Sequence, residues 1–131
     1  LIFLHRLEAR AIFMSMAMYP LTQLYQVEED KKRNDITFAV HWGIKNSFKF
    51  SYICILISCI SMLLVLYLKS MYIDLAIISA FYSFFIIQIF LWSKNFQEKD
   101  ILKNYKKIMN LNYSNALGFI VYILIHVFKI I

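Results

Sequence analysis

Turn-forming residues are nearly missing from this chain of 131 residues, which has two glycines, Gly43 and Gly118, and one proline, Pro20. That scarcity argues against a soluble β-rich fold, whose many tight turns need such residues. Acidic residues are also few, eight against fourteen Lys and Arg, for a net charge of +6. The basic excess does not form a stripe interleaved with stacking aromatics on a polar surface, so it points to anionic membrane lipid and not to nucleic acid. The two cysteines, Cys54 and Cys59, lie inside one apolar run with no histidine at ligand spacing. They read as packing residues and say nothing about redox compartment.

What is abundant is apolar: 61% of the residues are hydrophobic and 18% aromatic. By length the chain is a single domain. Residues Phe50 to Leu68, Leu75 to Ser93 and Ile108 to Phe128 carry no Asp, Glu, Lys or Arg. At a rise of ~1.5 Å per residue, ~20 residues cross a ~30 Å hydrocarbon core. Backbone groups in hydrocarbon must be paired within their own segment, so these runs are expected to be helices. A fourth run, Ala11 to Tyr25, contains Pro20 and spans if its helix starts upstream with Arg6, Glu8 and Arg10 at the interface. The expected fold is an all-α, multi-pass transmembrane bundle of about four helices.

Lys and Arg collect on the cytoplasmic side of membrane proteins. Segments 26–49 and 94–107 share one side and hold Lys31, Lys32, Arg33, Lys45, Lys49, Lys94, Lys99, Lys103, Lys106 and Lys107. The other side has Arg6, Arg10, Lys69 and Lys129, so segments 26–49 and 94–107 are expected to be cytoplasmic. Lys69 to Tyr72 is short enough to make the second and third spans an antiparallel hairpin, with Asp74 as an interfacial charge. In segment 94–107, Ile101, Tyr105 and Ile108 recur at helical spacing among lysines. The pattern predicts a short helix lying on the membrane surface, either a basic anchor or a lid over a site. Asn46 and Ser47 offer side-chain oxygens to cap the second span, and Gly43 can end a short helix begun near Thr37.

Half of the acids, Glu28, Glu29, Asp30 and Asp35, fall within residues 28–35, at the end of an apolar run. If the helix carrying Tyr25 continues, Gln26, Glu29, Asp30 and Arg33 share one face. Their hard oxygens suit Mg²⁺, which is commonly held by one or two carboxylates with substrate phosphates and water. Lys31, Lys32 or Arg33 would then contact phosphate. The plainer reading is a solvated helix, because Glu28–Lys32, Glu29–Arg33 and Lys31–Asp35 are all spaced as helical ion pairs.

Residues Pro20 to Gly43 resemble the second aspartate-rich motif of the UbiA-type intramembrane prenyltransferases, which reads approximately Asp-x-x-x-Asp-x-x-x-Gly-x-x-Thr and is followed by a Gly before the next helix. Asp30, Thr37 and Gly43 match it, whereas Gln26 replaces the first Asp and Asn34 the Gly. The resemblance implies that this chain, whose first residue is Leu, is the C-terminal portion of a bundle of about nine helices. It implies Mg²⁺-dependent transfer of a prenyl group from a prenyl diphosphate to a lipophilic acceptor, an aromatic ring or quinone precursor. Asp30 and Gln26, with Glu29 supplying charge, would hold the metal, and Lys31 and Arg33 the diphosphate. The family's earlier aspartate-rich motif has no counterpart here, so the isolated chain is expected to be inactive. His41 lies near the motif and is a low-ranking substrate contact; His126 reads as a hydrogen-bonded interior residue, and the aromatics of the later spans as packing. The rival expectation is a small, non-catalytic multi-pass membrane protein that binds anionic lipid or a partner through its basic segments.

Overall fold

The structure, a computed structural model, describes the backbone of residues 2–128 and the side chains of residue 8 and residues 10–128. The expected interfacial Arg6 side chain and Lys129 lie outside the described residues. Among the described residues six α-helices follow one another: α1 (Ile2–Gln23), α2 (Val27–Arg33), α3 (Phe38–Trp42), α4 (Ile44–Leu68), α5 (Tyr72–Lys94) and α6 (Ile101–Val127). The fold is all-helical, as the composition implied, and α4, α5 and α6 are each long and apolar enough to cross a membrane. They make the chain an integral, multi-pass membrane protein. The expected fourth span lies in α1, which runs unbroken through Pro20. It is not one of those three, because any stretch of α1 long enough to span takes in Arg6, Glu8 and Arg10.

Pro20 cannot donate to the helical ladder, and α1 ends within its next turn, passing through a 3-10 turn at Leu24–Gln26 before α2. The expected continuous helix past Tyr25 is therefore interrupted. Asn34 follows α2 at φ +60° and turns the chain; its N–H donates to the carbonyls of Asp30 and Lys31. Thr37 then caps α3, its Oγ1 accepting from the N–H of Val40, and Gly43 ends α3 as expected. Gly43 sits at φ +81°, ψ 163°, a region essentially closed to residues with a Cβ. It starts α4 at the same time, one turn earlier than expected. Asn46 and Ser47 therefore do not cap α4; their side chains donate backwards to the carbonyls of Trp42 and Gly43.

Packing is organised around the contact of α1 with α4. Ser47, Ser51, Cys54, Ser58 and Met62 bury one face of α4, while Ile53, Leu56, Ile60 and Leu64 on the other face remain exposed. The small side chains among them, Ser47, Ser51, Cys54 and Ser58, let the α1 backbone come close, which is how helices associate where lipid is as apolar as the interface. The serines also bond to α1: Ser51 Oγ donates to the Ala17 carbonyl at 2.7 Å and Ser58 Oγ to that of Arg10 at 3.1 Å. On α5, Ile78, Tyr82, Phe85, Ile89 and Trp92 form the buried face. Tyr82 Oη meets Ser58 Oγ at 2.7 Å, so one serine ties α4 to both neighbours.

The short surface helix expected within 94–107 does not form as a separate element. Lys94 is the last residue of α5, residues 95–100 make the connection, and Ile101–Lys107 are the first turns of the continuous α6. At ~1.5 Å per residue a helix of 27 residues reaches ~40 Å, beyond a ~30 Å core, so α6 has length to spare for its basic turns. Buried Asn104, Ile108 and Leu111 hold its first half to the bundle, and most of its second half is exposed. Gly118 is an exception: a Cβ there would come within 2.3 Å of the Phe81 ring, so any larger residue requires that ring to move.

Candidate functional site

The motif region folds as a helix, a left-handed turn and a second short helix, which bring Asp30 and Thr37 together. Thr37 Oγ1 lies 3.2 Å from Asp30 Oδ2 and donates to it, while accepting from the Val40 N–H at 3.4 Å. Asp30 is 5% exposed, and its backbone carbonyl also accepts from the Asp35 N–H at 2.9 Å. Its other carboxylate oxygen, Oδ1, receives no hydrogen bond from the described residues and is not sealed from solvent. A second polar residue fixes α3 from the other side: buried Gln23 accepts the Ala39 N–H at 3.1 Å through Oε1. Together Gln23 and Thr37 satisfy two of the amide donors that open α3.

The other candidate residues face different surroundings. Glu29 is exposed and pairs with Arg33, and Glu28 pairs with Lys32 at 3.3 Å. These are the helical ion pairs expected from spacing. The expected Lys31–Asp35 pair does not form, because α2 ends at Arg33 and the turn at Asn34 carries Asp35 off its face. Lys31 instead reaches Glu98 in the connection before α6, at 2.7 Å. Gln26 is half-buried in the 3-10 turn and makes no capping bond to α2. His41 is exposed on α3 and its ring lies against Trp42.

As a donor set, this region offers one inward carboxylate, Asp30, with the Gln26 amide four residues before it. Among the described residues, no group of three or more His, Cys, Asp or Glu stands ready to hold a metal ion. One carboxylate with a free oxygen does fit the way Mg²⁺ is held alongside substrate phosphates and water, where most of the ligands are not protein.

The opposite end of the bundle encloses two charges, Arg10 and Asp74. Arg10 is enclosed by the bundle: it is 7% exposed, with its guanidinium 4.8 Å from the centre of the Phe119 ring. Asp74, in the first turn of α5, is buried as well, and its Oδ1 is 3.1 Å from Nε2 of His126. His126 is bonded as expected, its Nδ1 3.0 Å from the Tyr122 carbonyl. An apolar cavity of about 50 Å³ lies beside Arg10, among Met62, Ile78, Phe81 and Phe119. The signal for these contacts was the rarity of charge on that side, where each ionisable group near an apolar run needs a partner.

No family model, no curated protein and no solved structure matches this chain.

Proposed function

We propose that this chain supplies the second metal–diphosphate motif of an Mg²⁺-dependent intramembrane prenyltransferase, with its motif at the cytoplasmic end of the bundle. The observation that carries this reading is the closure of Thr37 onto Asp30 around a left-handed Asn34. In the motif that the sequence resembles, the positions of Asp30, Asn34 and Thr37 are Asp, Gly and Thr. A residue at φ +60° there explains why glycine suits that position and why asparagine, which tolerates the same region, can replace it. The matching threonine has a function in the same terms: it holds one oxygen of Asp30 and leaves the other available.

In this reading Asp30 would be the principal metal ligand, and Gln26 would contribute a neutral oxygen directly or through water. Bound Mg²⁺ would offset the negative charge that grows on diphosphate as the allylic carbon–oxygen bond ionises. Thr37 positions Asp30. Lys31 and Arg33 are the candidate diphosphate contacts, and each is held beforehand by a carboxylate, Glu98 and Glu29. Glu29 thereby acts on Arg33 more directly than on the metal. The prenyl tail of the substrate and the lipophilic acceptor remain among apolar helices while the charged head stays at the interface.

The test is Asp30→Asn in the natural full-length protein, assayed in membranes for Mg²⁺-dependent prenyl transfer. Turnover should fall about 100-fold or more with insertion and abundance unchanged. Turnover like that of the unaltered protein would remove the reading.

A further inference from the structure

Leaving α5, the chain makes a groove that neither the ion pairs of the motif nor the helical packing uses. It has a volume of about 570 Å³ and is lined by four lysines, Lys94, Lys103, Lys106 and Lys107, together with Asn95 and Asn110. No carboxylate lines it. Among the described residues none of the four lysines forms an ion pair: Lys107 donates to Gln88 Oε1, and Lys94 lies over the Phe90 ring. Of the two nearby acids, Glu98 is taken by Lys31, and Asp100 lies outside the groove, on an adjoining surface with Lys103 and Lys106 but in no ion pair among the described residues. Uncompensated positive charge of this density in one groove calls for an anion.

The groove is held by buried groups. Asn104, 2% exposed, accepts from Trp92 Nε1 at 3.0 Å and donates to the Gln97 carbonyl at 2.8 Å, fastening the connection to both helices. Trp92 is packed in turn between Phe48 and Phe96. The lysines of α6 therefore project from a framework that is set before any ligand arrives, which lowers the ordering cost of binding.

Its place on the helices selects among anions. Leu91 and Trp92 form its membrane-side wall, and the neighbouring Ile87 and Phe90 of α5 and Tyr113 and Leu117 of α6 are exposed. An anion seated on the lysines would have an apolar track directly beneath it. Basic pockets between membrane helices hold lipid head groups in this way. We propose that the groove binds the phosphate of an anionic membrane phospholipid, with the acyl chains lying along the exposed faces of α5 and α6. The site is separate from Asp30 and does not depend on the prenyl-transfer reading.

Trp92 provides the reporter. The chain, purified in detergent with Trp42→Phe so that Trp92 is its single tryptophan, is titrated with dihexanoyl phosphatidylglycerol and its emission followed. A saturable change is expected, absent with dihexanoyl phosphatidylcholine and at least about tenfold weaker with glycerol phosphate. The double variant Lys103→Gln/Lys106→Gln, with helicity checked by circular dichroism, should weaken the phosphatidylglycerol response at least about tenfold, whereas Asp30→Asn should leave it unchanged. Raising salt from low to high should weaken it in the unaltered lysine background, which tests the charge dependence even where the double variant folds poorly. An equal response to phosphatidylcholine, or one indifferent to both salt and the lysine substitutions, would overturn the proposal. Glycerol phosphate binding as tightly as the lipid would overturn the lipid as its source.

Discussion

At the end of the bundle that carries α2, α3 and the 95–100 connection, charges are numerous and mostly exposed, and acids and bases meet in pairs such as Glu28–Lys32 and Glu29–Arg33. At the opposite end they are few, and those that the helices draw inward, Arg10 and Asp74, are more than nine-tenths buried. Charge density along the chain therefore says little about which charges the fold depends on. An exposed pair exchanges one solvated arrangement for another and gains a few tenths of a kcal/mol, whereas a buried carboxylate has lost its water and depends on its partner.

That contrast sets the order of the expected effects. The largest belongs to the sparse end: His126→Leu leaves the Asp74 carboxylate buried without its imidazole neighbour and should cost about 2–3 kcal/mol in detergent unfolding. Asp74→Leu should cost less, below about 1 kcal/mol, because it removes the buried carboxylate itself and leaves no desolvated anion behind. Equal costs would show that the pair acts only as packing. Next comes Gly118→Ala, whose Cβ meets the Phe81 ring; a loss of about 1–2 kcal/mol is expected, mostly recovered in the double variant with Phe81→Leu. A double variant no better than Gly118→Ala alone would mean that the α5–α6 approach is set elsewhere. The smallest effect is at the crowded end, where Glu28→Gln should change stability by less than about 0.5 kcal/mol, measured in the same way. A loss as large as that of His126→Leu would erase the distinction between the two ends.

How much of this was legible beforehand depended on how local the cause is. The short helix from Thr37 to Gly43 was readable because its signals act within a few residues: a hydroxyl that accepts an opening N–H and a glycine with φ +81°. The apolar spans were readable because hydrocarbon leaves a long run without charge only one backbone solution. Segment 94–107 misled because amphipathic spacing fixes which residues share a face but not whether the helix stops before the next span. Ile108 and Leu111, buried against the bundle, carry α6 straight on. The serines of α4 gave no sign of their importance, since their value lies in what comes close to them: Ala17, Arg10 and Tyr82.

At the motif, sequence grouped Gln26, Glu29, Asp30 and Arg33 on one face by assuming an unbroken helix. The 3-10 turn after Pro20 and the left-handed turn at Asn34 replaced that face with another arrangement. Asp30 turned inward to Thr37, Glu29 stayed outside with Arg33, and Lys31 crossed to Glu98. Gln23 carries no such signal, because nothing in its immediate neighbours indicates that its amide will accept from Ala39 in another helix.

By itself, then, the sequence determined that this chain is helical and lies in a membrane, and that its charges collect beyond the ends of the apolar runs, because transfer of charge and unpaired backbone into hydrocarbon is costly at any tertiary arrangement. Which of two adjacent carboxylates keeps a free oxygen inside, which lysines are left without acids, and that Arg10 and Asp74 are buried were decided only by tertiary structure. Those outcomes depend on what a second helix brings to the same point in space, and residue spacing along one helix carries no record of it.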